Sequence, residues 1–170
     1  MAEQQQFSSF FIGDVCFGVE VAKVQEVMTG PEITPVPLSS PVVRGLINLR
    51  GQIVTAIDLR RCLQLAERPA EQLQPLVNLI VYTDDGCVSL LVDQVGDVLS
   101  VDEHEFEYPP ATLPERSRGL ILGAYKLDGK LMLVLDTDKV VDVTHGYLDE
   151  EGHVPVPVAG RGGSVPESSP

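Results

Sequence analysis

The sequence has no tryptophan, only three cysteines, and 12 basic side chains against 25 acidic ones, for a formal net charge of −13 at pH 7. Each scarcity excludes something. Too few cations are present to displace counterions from a phosphate backbone, which argues against nucleic acid and against an anionic membrane surface. With 5% aromatic residues there are no platforms on which single-stranded bases would stack. Cys16, Cys62 and Cys87 are odd in number, widely spaced and set in apolar sequence, so neither a disulfide framework nor a CxxC zinc site fits; they read as small buried hydrophobes. No apolar run approaches the ~18 residues of a spanning helix. The start, Met1-Ala2-Glu3-Gln4-Gln5-Gln6, has neither the basic flank nor the apolar stretch of a signal peptide, so the expectation is a cytosolic protein without membrane insertion.

Catalytic chemistry is equally thin. Gly160-Arg161-Gly162-Gly163 has no strand before it and no helix after it, which suits a linker and not a phosphate loop. His104, His145 and His153 share no ligand spacing, no Gly-x-Ser-x-Gly elbow occurs, and no cysteine has a histidine beside it. Acidic pairs such as Asp102-Glu103 lie in charge runs typical of solvated surface. The reading is a protein that recognises and does not react, with no catalytic residue, no metal and no cofactor.

What the sequence does contain is short β-branched runs, apolar residues at period two, 15 Gly and 13 Pro. Phe17, Val19 and Val21 alternate; residues 51–57, 79–82, 88–92 and 131–135 read as strands. Gly13-Asp14, Asp84-Asp85-Gly86 and Asp128-Gly129 supply the positive φ that tight hairpins need. A shift of 71 residues superposes residues 12–27 on 83–98, matching Asp14 with Asp85, Cys16 with Cys87, Val24 with Val95, Glu26 with Asp97 and Val27 with Val98. A second echo, Arg44-Gly45-Leu46-Ile47 with Arg118-Gly119-Leu120-Ile121, puts the offset at 74. Together they argue for a duplicated unit of about 70 residues, and hence for two related small β-barrels. Short helices are expected at 58–65 and 136–143, each capped by its leading Asp. Residues 151–170, rich in Gly, Pro and Ser, are expected to be a disordered tail.

Three segments then stand out: Lys23-Val24-Gln25-Glu26-Val27, Gly45-Leu46-Ile47-Asn48-Leu49-Arg50-Gly51 and Asp58-Leu59-Arg60. Through them, and through Val92-Asp93-Gln94-Val95 and Leu133-Val134-Leu135-Asp136 in the second copy, the sequence resembles the CheW family of chemotaxis coupling proteins over residues 7–143. Thr55-Ala56, where members often carry Pro, and the extension after Glu150 depart from the family pattern. The resemblance implies an all-β fold with short helices, two pseudo-symmetric SH3-like five-stranded barrels within a CheW-like domain at 7–150, the first barrel roughly 7–75 and the second roughly 76–145. It also implies a non-catalytic adaptor, placed at the membrane-associated chemoreceptor array in the cytoplasm. Its partners would be the tip of methyl-accepting chemoreceptors and the regulatory domain of the histidine kinase CheA, itself CheW-like.

The residues acquire expected jobs on that basis. Val24, Glu26, Val27 and Val77 are candidates for a receptor-binding groove, against the alternatives that the valines pack in the core, as most strand valines do, and that Glu26 is a solvated strand residue. Gly45 and Gly51 should allow sharp backbone turns at both ends of a stiff strand presenting Asn48 and Arg50. Arg50, with its fixed fork of donors, would meet a partner carboxylate or brace the fold against Glu26 or Asp58. The change of apolar spacing after Val21 marks a turn or bulge that re-aims the chain. Two other readings stay open: a small hydrolase or metal enzyme using His104 or His145, and a peptide-binding SH3-like module outside chemotaxis.

Overall fold

A computed structural model describes residues 4–37, 40–69, 71 and 74–150, with side chains to residue 144. The expected tail at 151–170 lies outside the described residues. Strands β1 (Gln4–Ile12) and β2 (Val15–Glu20) form the first hairpin, and β3 (Val24–Thr29) follows a 3-10 turn at Val21–Lys23. Next come the hairpin β4 (Val43–Leu49) and β5 (Gln52–Asp58) and helix α1 (Leu59–Cys62). The second half repeats this order with β6 (Val77–Thr83), β7 (Gly86–Val92), β8 (Gln94–Asp102), the two-residue β9 (Phe106–Glu107), helix α2 (Glu115–Arg118), β10 (Ile121–Leu127), β11 (Lys130–Leu135) and α3 (Thr137–Glu150). The capping Asp recurs: Asp58 Oδ1 accepts from Arg61 N at 3.2 Å, and Asp136 Oδ1 accepts from Lys139 N at 3.2 Å.

These strands make two sheets, ordered β8-β1-β2-β11-β10-β9 and β3-β6-β7-β5-β4. Both curl into SH3-like barrels. In the first, the outer strands β8 and β9 are joined only by the 3-10 turn Glu103–Glu105, so the two edges must approach each other. In the second, Arg50 at the β4–β5 tip hydrogen-bonds Glu26 on β3, linking strands at opposite ends of the sheet order.

Sheet membership does not follow the expected division near residue 75. Hairpin β1–β2 belongs with β8–β11, and hairpin β6–β7 belongs with β3–β5, so the two copies exchange their leading hairpins. Parallel pairing closes each exchange, β11 on β2 and β5 on β7. Cores follow the same logic. The largest apolar cluster draws Phe10, Phe17 and Val19 from one sheet and Ile57, Leu79 and Leu90 from the other, so it lies between the sheets. Phe7, Cys16, Tyr125 and Met132 form a smaller interior cluster in the first sheet, and Leu49, Val54, Ile80 and Cys87 one in the second. All three cysteines are buried thiols.

The repeat is real, and its second offset needs correction. At 71 residues the registers superpose: Ile12↔Val15 becomes Thr83↔Gly86, and Phe10↔Val95 corresponds to Val81↔Val24. In the later hairpin the offset is 78 and not 74. The bulge between Val43 and Gly45 recurs between Ile121 and Gly123, and Asp58 N donates to Val42 O as Asp136 N does to Leu120 O. Gly45 therefore matches Gly123, while Arg118 ends α2 and only sequence coincidence aligned it with Arg44.

Candidate partner-binding site

Strand β3 is the outer strand of its sheet and pairs with β6 through Val24↔Val81, Glu26↔Ile80, Val27↔Leu79 and Thr29↔Val77. A bulge between Val24 and Glu26 lets Gln25 stand out of register, so Val24 and Val27 share a face despite their spacing of three. Cross-strand partners lie on one face, and Leu79 and Val81 belong to the core between the sheets. Val24, Val27 and Val77 thus sit on the intersheet side: Val24 and Val77 are half-buried against that core, and Val27 is 46% exposed. The three valine candidates are brought together; the re-aiming expected near Val21 is made by the 3-10 turn and this bulge.

Glu26 lies on the opposite face. Arg50 grips it from the β4–β5 tip with two hydrogen bonds, Nη1 to Oε1 at 2.9 Å and Nη2 to Oε2 at 3.1 Å. Arg50 does not project from a stiff strand as expected. Leu49 pairs directly with Gln52, leaving Arg50 and Gly51 as the two turn residues, with φ of 52° and 84°. Two positive φ values match the twist of a two-residue hairpin but are costly at Arg50, whose Cβ crowds the backbone in this region. Asn48 supports the turn by accepting from Gly51 N through Oδ1 at 2.9 Å. The Arg50 side chain remains 72% exposed while its fork is engaged, so its rim is open to a partner.

Gly45 does different work. It lies at a bulge and not at a turn, with φ of 148°, and an added Cβ would stand 2.2 Å from Thr34 O. That contact belongs to the isolated pairing of Thr34 with Leu46, which folds the proline-rich connection onto β4. Asp58 caps α1 and faces Arg61 Nε at 3.6 Å and Arg44 Nη1 at 3.9 Å, away from Arg50. Sequence reasoning missed Gln25, which accepts from the Cys87 thiol at 2.9 Å, and the clamp made by Arg60 on Asp93 at 2.5 Å.

Among the described residues, no group of three His, Cys, Asp or Glu side chains could hold a metal ion, and no helix is long and apolar enough to cross a membrane. His104 is exposed, its backbone N–H donating to Asp102; the side chain of His145 lies outside the described residues.

Residues 6–145 match the family model described as CheW-like domain. The chain belongs to the CheW family. It is 33% identical to "Chemotaxis protein CheW" of Thermotoga maritima over 137 residues, covering 79% of this chain and 85% of that one. It is 29% identical to the CheW of Bacillus subtilis over 133 residues, covering 78% and 84%. Among solved structures, scaffolding protein TtCheW from Thermoanaerobacter tengcongensis superposes with a TM-score of 0.72 at 26% identity, covering 82% of this chain and 92% of that one. The family is one of chemotaxis scaffolds.

Proposed function

We propose that this chain is a non-catalytic adaptor that couples methyl-accepting chemoreceptors to the histidine kinase CheA in a bacterial chemosensory array. The observation that carries this reading is the β3 edge. Three valines make an apolar strip on its intersheet side, Val27 being the exposed one, and Glu26, held by Arg50, fixes a charged pair on the opposite face of the same edge strand. An amphipathic helical hairpin, such as a receptor tip, fits this edge by laying its apolar face on the valine strip, and the charged pair across the strand offers a polar contact at the margin. Family membership supports chemotaxis as the setting. The regulatory domain of CheA, being CheW-like, would dock end to end on barrel surfaces away from this strip, so both partners can bind at once. Localisation follows as cytoplasmic, at the membrane-associated array, through partners and without insertion.

The test is a co-sedimentation of the purified chain with a receptor tip fragment and a CheA regulatory domain, singly and together. Ternary complex formation, with each partner retained in the presence of the other, is the expected result. Competition between the partners, or failure to retain either, would refute the coupling role.

A further inference from the structure

Half of the chain's eight arginines converge on one pocket. Arg44 on β4, Arg60 and Arg61 on α1, and Arg68 beyond α1 line a cavity of about 250 Å³. Its acidic lining is Asp58, Asp93 and, exposed at residue 67, Glu67. The pocket therefore carries a positive excess in a chain whose net charge is −13.

Two of the carboxylates are committed to the fold. Asp93 Oδ2 takes hydrogen bonds from Arg60 at 2.5 Å and from the Gly13 N–H at 2.7 Å. Arg60 also donates to Ala66 O at 2.6 Å, which fixes its guanidinium as a stationary positive wall. Asp58 Oδ1 caps α1. The second oxygen of this cap residue, Asp58 Oδ2, is approached by Arg61 Nε at 3.6 Å and Arg44 Nη1 at 3.9 Å, both beyond hydrogen-bond reach. Arg61 is additionally anchored through Pro41 O at 3.1 Å, whereas among the described residues Arg44 makes no hydrogen bond. Two half-exposed forks thus converge on an oxygen that hydrogen-bonds neither, next to apolar walls from Leu65, Leu76 and Leu91.

We propose that this pocket binds an oxyanion of the phosphate class, free or carried as a phosphomonoester, with Arg44 and Arg61 as donors and Arg60 as the fixed charge behind them. A tetrahedral oxyanion presents several acceptor oxygens and receives planar guanidinium forks from two directions, which one carboxylate oxygen does not. The apolar walls lower the local dielectric and strengthen the attraction. Asp58 serves as a positioning residue that holds the two forks near each other before the anion arrives.

The experiment uses the full chain and follows the arginine Nε–H resonances during titration with inorganic phosphate, glycerol 3-phosphate or acetate, ionic strength being held constant with chloride. Saturable shifts of Arg44 and Arg61 with both phosphate ligands are expected, with binding at least tenfold weaker in Arg44→Gln and in Arg61→Gln. Far-ultraviolet circular dichroism and melting establish that the variants are folded, and Arg44→Lys, which keeps charge but not the fork, should recover only part of the affinity. Tighter binding of the ester identifies an organic phosphate as the ligand, and equal binding identifies the free ion. Non-saturable shifts, an equal response to acetate, or unchanged affinity in both folded glutamine variants would overturn the proposal.

Discussion

The two halves of the molecule share one backbone plan and carry different chemistry at the same places. In one half, Glu26 on the edge strand meets Arg50 on the hairpin tip. The matching positions in the other half are Asp97 and Asp128, two like charges. The tips differ in conformation as well, because among the described residues only Arg50 and Gln64 combine a side chain with positive φ. The edge valines persist, Val27 being 46% exposed and Val98 56%. Duplication therefore supplied two apolar edges, and only one acquired a charged clasp. Backbone strain at Arg50 is local, is held by a bidentate ion pair, and falls where partner recognition is proposed, which is where such strain is commonly tolerated.

The largest expected difference between the halves is in their bulge glycines. An alanine at Gly45 must take a φ of 148° with its Cβ against the backbone of Thr34, whereas at Gly123 its Cβ meets the Phe106 ring and Glu107 O, both on β9, without a positive φ. The neighbour of Gly123 is the two-residue strand β9, which can shift more easily than a connection pinned between β4 and the prolines. Gly45→Ala should cost about 3 kcal/mol in urea unfolding and Gly123→Ala about half of that. Equal losses would show that β9 is as rigid as the Thr34 segment.

Next in size is the comparison of the two apolar edges. Val27→Glu should weaken binding of a receptor tip by about 2 kcal/mol while leaving the CheA regulatory domain bound, and Val98→Glu should leave receptor binding unchanged. Both side chains are exposed, so neither variant should melt more than a few degrees lower. A large drop in melting temperature for Val27→Glu would mark it as core, and equal binding losses would place recognition on both edges.

The clasp itself should matter more for signalling than for stability. Arg50 is largely exposed, so Arg50→Ala should change unfolding free energy by less than about 1 kcal/mol. Kinase activation in a reconstituted array should nevertheless fall markedly. The reversed pair, Glu26→Arg with Arg50→Glu, separates the causes: recovery of activation would assign Arg50 to bracing β3, and continued failure would assign it to a partner carboxylate.

How far these differences were legible in sequence depended on the range of the interaction. The hairpin turns at Gly13-Asp14 and Asp128-Gly129, the capping Asp58 and Asp136, and the 71-residue echo were readable because each is a local or directly repeated pattern. The exchange of hairpins was not, since β3 with β6 or β11 with β2 is chosen by packing between distant segments. The Arg50 turn was misread as strand because an arginine at positive φ has no propensity signal; Asn-Gly or Asp-Gly would have announced it. The four-residue helix α2 follows Pro114 and is too short to show periodicity. Within the site, the shared face of Val24 and Val27 became visible only with the bulge.

The smallest effect, and the most selective, concerns a buried cysteine with a valine as its counterpart. Cys62 in α1 corresponds to Val140 in α3, both fully buried. Burial, reinforced by the nearby Asp58 charge and opposed by Arg116 and Thr144, pushes the Cys62 thiol up to about 12 from its ordinary 9.0. An acid whose folded pKa is raised stabilises the fold fully below its unfolded value, and that contribution disappears as pH climbs through the folded one. Stability should therefore fall between about pH 9 and pH 12, because the unfolded chain releases the proton that the folded chain keeps. Cys16, Cys87 and Tyr125, also raised by burial, add to the same slope. Cys62→Val, which makes this position like its counterpart, should change stability little at pH 7 and reduce the alkaline slope without abolishing it. Denaturant titrations at pH 7, 9 and 10.5 measure this directly; an unchanged slope would mean that the Cys62 thiolate is tolerated in the fold and that burial at this position is weaker than its surroundings imply.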